Sequence, residues 1–507
     1  MLRKVLVANR GEIAVRIIRA CRQAGIPTVA VYSDVDRSSL HVQLANEAYL
    51  LGPAPPLESY LNIDKIIEIA KASGADAIHP GYGFLAENHH FTERCEREGL
   101  IFVGATSEAI RLLGNKLESR ETMIRAGIPV IPGMTSRVRD MGEFVRHAST
   151  IGYPVLVKAA SGGGGKGMRV VRSQGELQQA LETARRESKS AFGDDTVYIE
   201  KYIERPRHVE FQIVADASGN TVHLYERECS IQRRHQKIVE ETPCTALDDR
   251  LRREMGEVAI EVARAAHYTN AGTVEFLLDQ GGNYYFLEVN TRVQVEHPIT
   301  EMTTGVDIVR LQLALAAGES LSMRQSNIAP RGHAIEARIY AEDPETDFMP
   351  SFGRVLFVRE PAGPGVRNDS GIYAGCDVTM HYDPILAKLI VWDESREGAR
   401  RRMISALEDY AILGIRTTIA FLRDVMDHPE FASGNTHTDF IKDHFSQWRE
   451  AGDDSSNLDV ALLSAAVYKV LNRAQPVADR TSASGPTSFD PWQAVGRWEI
   501  GSEKRSG

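Results

Sequence analysis

Two runs of alternating residues, TVEFLL at 273–278 and YYFLEVN at 284–290, flank the segment DQGGN. That pattern reads as a β-hairpin closed by a glycine turn. With the turn centred between Gly281 and Gly282, Glu275 stands opposite Glu288 and the two carboxylates share one face of the sheet. Asn290 and Arg292 alternate with Glu288 and join that face, while Val274, Phe276, Leu287 and Val289 take the other. Directly opposed like charges destabilise a hairpin unless a cation lies between them. An oxygen-only set from Glu275, Glu288 and Asn290 suits Mg²⁺ or Mn²⁺.

A second chemical signal is YPVLVKAASGGGGKGMRVV at 153–171. Lys158 closes one strand, a loop containing Gly163, Gly164 and Gly165 follows, and a second strand begins at once. Glycines let backbone N–H groups approach phosphate oxygens closely. The loop is no Walker A motif, because Lys166 is followed by Gly167-Met168 and then a strand instead of Ser/Thr and a helix. Between antiparallel strands it would fold over a nucleotide as a flap. A hard cation beside such a flap implies nucleoside triphosphate chemistry.

The basic run QRRHQK at 232–237 lacks interleaved aromatics, and strand-like alternation would put Arg233, His235 and Lys237 on one face, where they suit a small polyanion better than a duplex. Glu240 and Glu241 follow and are expected to pair with some of these cations. In TRVQVEHPITE at 291–301, Arg292 can clamp a planar anion, Glu296 can take a proton, and Gln294 and His297 stand in the same short span. Together they read as a site for a small planar anion beside a metal. Arg338 alternates with Glu336 in EARIYAEDP; from spacing alone it could equally be a structural ion pair.

These residues need a scaffold, and the periodicities supply one. Strand 4–8, helix 12–23, strand 28–32, helix 62–72, strand 75–79, helix 88–98 and strand 100–103 alternate, implying a doubly wound parallel sheet over 1–115. Gly11 lies where a dinucleotide fingerprint would begin, but no second or third glycine follows, so it reads as a tight strand-to-helix turn. A helical connector and a small α+β unit fill 116–203. Longer alternating strands in 204–446 imply a mixed, mostly antiparallel sheet. The stretch 447–507 reads as a helix at 458–472, a polar linker and a segment with Trp492 and Trp498, expected to dock on something.

Length and composition agree with an enzyme of about three or four structural units. A hydrophobic share of 43% with 25% charged residues excludes a mainly disordered chain. A net charge of -10 argues against a nucleic-acid-coating role. The cysteines at 21, 95, 229, 244 and 376 form no C-x-x-C pair, so neither a zinc site nor a disulfide framework is expected, and a reducing, cytoplasmic location is. No apolar stretch approaches the ~18–20 residues that span a bilayer.

The chain resembles the biotin carboxylases of the ATP-grasp superfamily. The segments that carry the likeness include VLVANRGEIAVRIIRA, HPGYGFLAEN, VLVKAASGGGGKGM, RHVEFQ, ERECSIQRRHQKIVEE, FLEVNTRVQVEHPITE, EARIYAEDP and YDPILAKLI, spread over residues 1 to about 446. The resemblance implies a ligase that phosphorylates bicarbonate with ATP and passes the resulting CO₂ to biotin. It implies that Lys116, Lys158, the glycine loop, Glu200, Lys201, Ile203, His208, Gln232, His235 and Glu275 bind ATP, and that Glu275, Glu288 and Asn290 hold two Mg²⁺ or Mn²⁺ ions. Lys237, Arg292, Gln294 and the Val295 backbone N–H would hold bicarbonate, Glu296 would be the base, and Arg338 would stabilise the biotin enolate.

The family pattern attaches biotin to a lysine in a Met-Lys motif, and this chain contains no Met-Lys dipeptide. Biotin is therefore expected on a separate biotin carboxyl carrier protein, with carboxyltransferase subunits completing the assembly and a homodimer as the unit. An acetyl-CoA or other acyl-CoA carboxylase is expected ahead of a pyruvate carboxylase. The SFDPWQAVGRWEIG stretch resembles the connector of longer acyl-CoA carboxylase α-subunits. The competing expectation within the superfamily is a carbamoyl phosphate synthetase-like ligase.

Overall fold

The structure, a computed structural model, describes residues 2–135, 138, 140–160, 168–234, 236–450 and 455–471. Gly163, Gly164, Gly165, His235, Trp492 and Trp498 lie outside the described residues. Contacts divide the chain into Met1–Glu450 and Ala451–Gly507. Of the second unit, the helix Ser455–Leu471 is described, and Leu462, Leu463 and Tyr468 on it are exposed.

The N-terminal sheet is parallel throughout, in the order β3-β2-β1-β4-β5 (β1 Val5–Val7, β2 Thr28–Ser33, β3 Glu47–Gly52, β4 Ala77–His79, β5 Ile101–Phe102). β3 is absent from the sequence reading. It is a half-buried edge strand, EAYLLG, without the alternation that marks a strand with one buried face. Gly11 opens the helix Gly11–Gln23 at φ +64°, a conformation glycine adopts without steric cost. Gly371 packs directly on that turn: a Cβ there would lie 2.7 Å from the Glu12 nitrogen.

A smaller unit follows, with β6 (Val155–Ala159) antiparallel to both β7 (Arg169–Val171) and β8 (Val197–Lys201). The helix Gln174–Phe192 closes it through Leu177, Leu181 and Ala184, buried with Val155, Val157, Val171 and Ile199. Strands β6 and β7 thus have the antiparallel arrangement that a flap requires.

The main body is one eight-stranded sheet of order β13-β12-β9-β10-β11-β14-β16-β15. Its strands are β9 Arg207–Ala215, β10 Thr221–Arg233, β11 Gln236–Thr242, β12 Asn270–Leu278, β13 Tyr284–Asn290, β14 His333–Tyr340, β15 Val366–Ser370 and β16 Ile385–Asp393. All neighbours are antiparallel, so the sheet is not mixed as the sequence suggested. The helix Asp249–Ala265 covers one half of the sheet, burying Met255, Ala259 and Val262 with Val209, Phe211 and Phe276. The helices Arg396–Asp409 and Ile419–Asp427 cover the other half, where Met403, Leu407, Phe421 and Val425 meet Ile335, Ile339 and Leu389. Each of the larger of these side chains contributes about 1.5–3 kcal/mol by leaving water.

Candidate functional site

The hairpin register places Glu275 opposite Glu288, with Thr273 opposite Asn290. A β-bulge then shifts the register by one, pairing Phe276 with Phe286. This corrects one sequence assignment: Phe286 is buried in the core in place of Leu287, which is half-buried. The extra residue is what a bulge inserts, and simple alternation misses it.

The rung extends further than the hairpin. Glu275 pairs across β9 with Glu210, and Glu210 pairs across β10 with Arg227. Four charged residues from four strands therefore form one row: Arg227, Glu210, Glu275 and Glu288. Arg227 is fully buried and donates from Nε to Glu210 at 2.6 Å, with Gln212, Thr300 and Thr273 accepting from its other nitrogens.

Lys237 reaches into this row from β11. Its ammonium lies 2.5 Å from Glu210, 2.8 Å from Glu275 and 2.8 Å from Glu296. Burial opposes ionisation of Glu275 and Glu296. The neighbouring cations together outweigh it, Lys237 with His208 at Glu275 and Lys237 with Arg338 and Arg227 at Glu296, so both carboxyls are held well below the usual range. Glu210 moves the other way, raised by burial and by the Glu296 charge. Arg338 donates from Nη2 to Glu296 at 3.0 Å and from Nε to Glu240 at 2.6 Å. Arg338 is thus both an ion-pair member and a group facing the candidate base. Glu240, buried, is pushed up to about 7 despite that arginine.

The anion side of the site is ordered by the turn after β13. Arg292 donates from Nη1 to the Gln294 side chain at 2.9 Å and from Nη2 to Asn290 at 3.1 Å. Its Nε is held by Glu87 at 2.8 Å, from the N-terminal unit, and the other Glu87 oxygen takes the Thr291 N–H. Asn290 and Gln294 both donate to Glu275 Oε1, at 2.8 and 3.3 Å. Glu296 stands at the N-cap position of the helix His297–Thr304 but makes no cap bond; its carboxylate is directed to Lys237 and Arg338 instead.

On the nucleotide side, His208 contacts Glu275 at 3.0 Å, and Lys158 is buried against Glu200 at 2.9 Å. Lys116, first residue of the helix Lys116–Arg125, lies 3.6 Å from Glu288. Lys201 differs from its neighbours: its ammonium donates to the carbonyls of Gly152 and Tyr153, so the side chain serves the fold. Ile203 is half-buried and Gln232 is buried near Lys237.

The QRRHQK run is a hairpin tip, not one strand face. Gln232 opposes Lys237 and shares its face, whereas Arg233 turns away to Glu342 and over the Phe348 ring. Arg234 sits at the tip with φ +50°. Glu240 and Glu241 do not pair with Arg233: Glu240 takes Arg338, and Glu241 takes His333 and Arg396.

Glu210, Arg227, Glu87 and Lys388 carry the site and were not singled out from the sequence. The alternation of His208, Glu210 and Gln212 within β9 was a usable signal, since polar residues on one face of a strand whose other face is apolar require a partner.

The residues fit divalent cations. Glu288 is 36% exposed, and the Lys116 ammonium lies 3.6 Å from one of its oxygens. It stands opposite Glu275, and Asn290 lies within hydrogen-bonding distance of the latter. Among the described residues, His208/Glu210/Glu275 and Glu210/Cys229/Glu296 also bring donor atoms within 4.8 Å, but the Lys237 ammonium already neutralises both groups.

Comparison with known proteins agrees with this geometry. Residues 1–110 match the family model for the biotin carboxylase N-terminal domain, 115–324 that for the carbamoyl-phosphate synthase L chain ATP-binding domain, and 336–443 that for the biotin carboxylase C-terminal domain. The biotin carboxylase of Nostoc is 52% identical over 87% of this chain and 98% of its own length. The mouse mitochondrial methylcrotonoyl-CoA carboxylase subunit alpha is 52% identical over 87% of this chain, which spans 62% of that relative. Its Dictyostelium counterpart is 46% identical over 98% of this chain and 70% of its own. Among solved structures, the biotin carboxylase domain of the Hydrogenobacter thermophilus 2-oxoglutarate carboxylase, a dimer with MgADP, ADP and bicarbonate, superposes with TM-score 0.87 at 48% identity, covering 89% of this chain and all of that one. Fold, register and likeness converge: the chain belongs to the biotin carboxylase family of ATP-dependent ligases.

Proposed function

We propose that this chain carboxylates biotin held on a carrier protein, using ATP and bicarbonate, as the first half-reaction of an acyl-CoA carboxylase. The observation that carries the reading is the continuous row Arg227–Glu210–Glu275–Glu288 joined through Lys237 to Glu296 and Arg338. It offers a metal-phosphate end and a base-guanidinium end within one network.

Lys116, Lys158, the loop with Gly163, Gly164 and Gly165, the Glu200–Ile203 edge, His208, Gln232, His235 and Glu275 bind the nucleotide. Divalent cations held by Glu275, Glu288 and Asn290 supply charge neutralisation on the transferring phosphoryl group. Arg292, Gln294, Lys237 and the Val295 N–H orient bicarbonate, and orientation is the larger part of phosphoryl-transfer catalysis. Glu296 removes the bicarbonate proton; being ionised at neutral pH, it is ready to do so. A bicarbonate oxygen then attacks the γ-phosphorus and ADP leaves. Carboxyphosphate breaks to CO₂ and phosphate, and phosphate takes the ureido proton. Arg338 stabilises the biotin enolate that attacks CO₂.

The acyl-CoA assignment is supported by extent. The match to the Dictyostelium methylcrotonoyl-CoA carboxylase subunit reaches 98% of this chain. We assign 447–507 to docking of carrier or transferase subunits. We assign the chain to a reducing, cytoplasmic compartment, of which five buried free thiols support the reducing part, and to a homodimer, as in the dimeric biotin carboxylase domain from Hydrogenobacter thermophilus. Among the described residues no helix is long and apolar enough to cross a membrane. The test is bicarbonate-dependent ADP release with and without free biotin. Stimulation by biotin supports the reading; ADP release unchanged by biotin, with carbamoyl phosphate formed when ammonia is supplied, favours the carbamoyl phosphate synthetase-like alternative. Deleting 447–507 is expected to abolish co-elution with carrier and transferase subunits; unchanged assembly counts against the docking role.

A further inference from the structure

Behind the Arg292–Glu296 turn, two buried side chains hold consecutive backbone carbonyls. The Nδ1 of His297 lies 2.7 Å from the Gln294 carbonyl oxygen, and the Lys388 ammonium donates to the Val295 carbonyl at 2.7 Å. Both residues are fully buried. Lys388 is further held by Glu12, 3.3 Å away on the first helix, so this contact draws on three distant parts of the chain. The groups around the His297 ring are Lys388, Arg16, Arg367 and, at 3.9 Å, Glu301. Burial and the three cations keep the imidazole neutral. A neutral ring facing a carbonyl oxygen must carry its proton on Nδ1, so His297 donates.

The consequence follows from peptide geometry. In a trans peptide the N–H of one residue points opposite to the carbonyl of the residue before it. A Gln294 carbonyl pinned toward His297 therefore sends the Val295 N–H the other way, away from the His297 ring. Lys388 fixes the next carbonyl, which leads directly into Glu296.

We propose that His297 and Lys388 are positioning residues for bicarbonate: together they aim the Val295 N–H and the Glu296 carboxylate at the anion. This rests on the reading of the site as a bicarbonate site. Neither side chain touches substrate, and both act through the backbone.

The test is a KM split with a conservative rescue, measured by bicarbonate-dependent ADP release. His297→Gln puts an amide donor where Nε2 stands, and His297→Asn puts one where Nδ1 stands. The expected result is a rise of at least about tenfold in the bicarbonate KM for His297→Gln and for Lys388→Met. The ATP KM stays within twofold, and His297→Asn stays within about threefold of the parent in both. Lys388→Met is also made with Glu12→Gln, so that no unpaired buried carboxylate prevents folding. Equal bicarbonate KM values for the Asn and Gln variants, or parallel rises in both KM values, overturn the proposal. Absence of bicarbonate-dependent ADP release in the parent chain would instead overturn the functional reading itself.

Discussion

The Lys237 ammonium lies 2.8 Å from the Glu296 carboxylate while also neutralising Glu210 and Glu275. One cation thus serves three buried acids. Lys237→Gln removes it and leaves like charges facing one another. We expect a loss of about 3 kcal/mol in unfolding free energy, the scale for breaking a buried ion pair. Turnover is expected to fall at least ~100-fold, because bicarbonate loses the ammonium that orients it beside Glu296. Denaturant unfolding with steady-state kinetics checks both; full activity in a destabilised protein would contradict the role.

Glu288 offers a cleaner separation of chemistry from folding, since it is partly exposed. Glu288→Lys places a cation where the metal-bound phosphates belong. Bicarbonate-dependent ADP release should fall ~1,000-fold or more, with stability changed by about 0.5 kcal/mol or less. Chelating divalent ions in the parent protein should reproduce the loss. Near-normal turnover in the variant removes Glu288 from the metal site.

Much of this arrangement was legible from residue order. The pairing of Glu275 with Glu288 follows from a glycine turn and strand alternation, and the register near the site has that form. The parallel N-terminal sheet follows from alternating periods. What escaped was set by tertiary contact. Nothing local marks β3 as a strand, because an edge strand without a clean buried face has no period to read. Glu87 and Arg292 are brought together across 205 residues, and Lys388 meets Val295 across 93. The QRRHQK tip was misread because the turn at Arg234 contains no glycine or proline, the usual punctuation of a hairpin.

Glu240 gives the pH prediction. Its folded carboxyl is raised to about 7 from the ordinary 4.5 by burial, so the folded state binds a proton that the unfolded state has released between those values. That contribution to stability is complete below pH 4.5 and disappears as pH rises toward 7. Buried His41 and His223, lowered by burial to about 4, act with the opposite sign over part of that range, so the readout is a difference. Relative to Glu240→Gln, the parent protein should lose melting temperature between pH 5 and 7.5. A constant difference would show that Glu240 does not titrate there.

Gly133 packs directly on the strand that presents Glu200. A Cβ at 133 would lie 2.7 Å from the Glu200 Cβ and 2.9 Å from the Ile199 carbonyl oxygen. Gly133→Ala must displace β8 or the connector, at about 1–3 kcal/mol. Because Glu200 holds Lys158, the ATP KM should rise severalfold while the bicarbonate KM changes little. Equal effects on both substrates would mean that the displacement spreads through the whole site.

The central claim is that a bicarbonate oxygen, oriented by Arg292 and Lys237, attacks the γ-phosphorus of ATP. The most direct measurement uses ¹⁸O-labelled bicarbonate with carrier-bound or free biotin, followed by mass analysis of the phosphate released. The account predicts one ¹⁸O atom in each phosphate formed in the coupled reaction. Phosphate carrying only oxygens from ATP and solvent water, with carboxybiotin still produced, would contradict it.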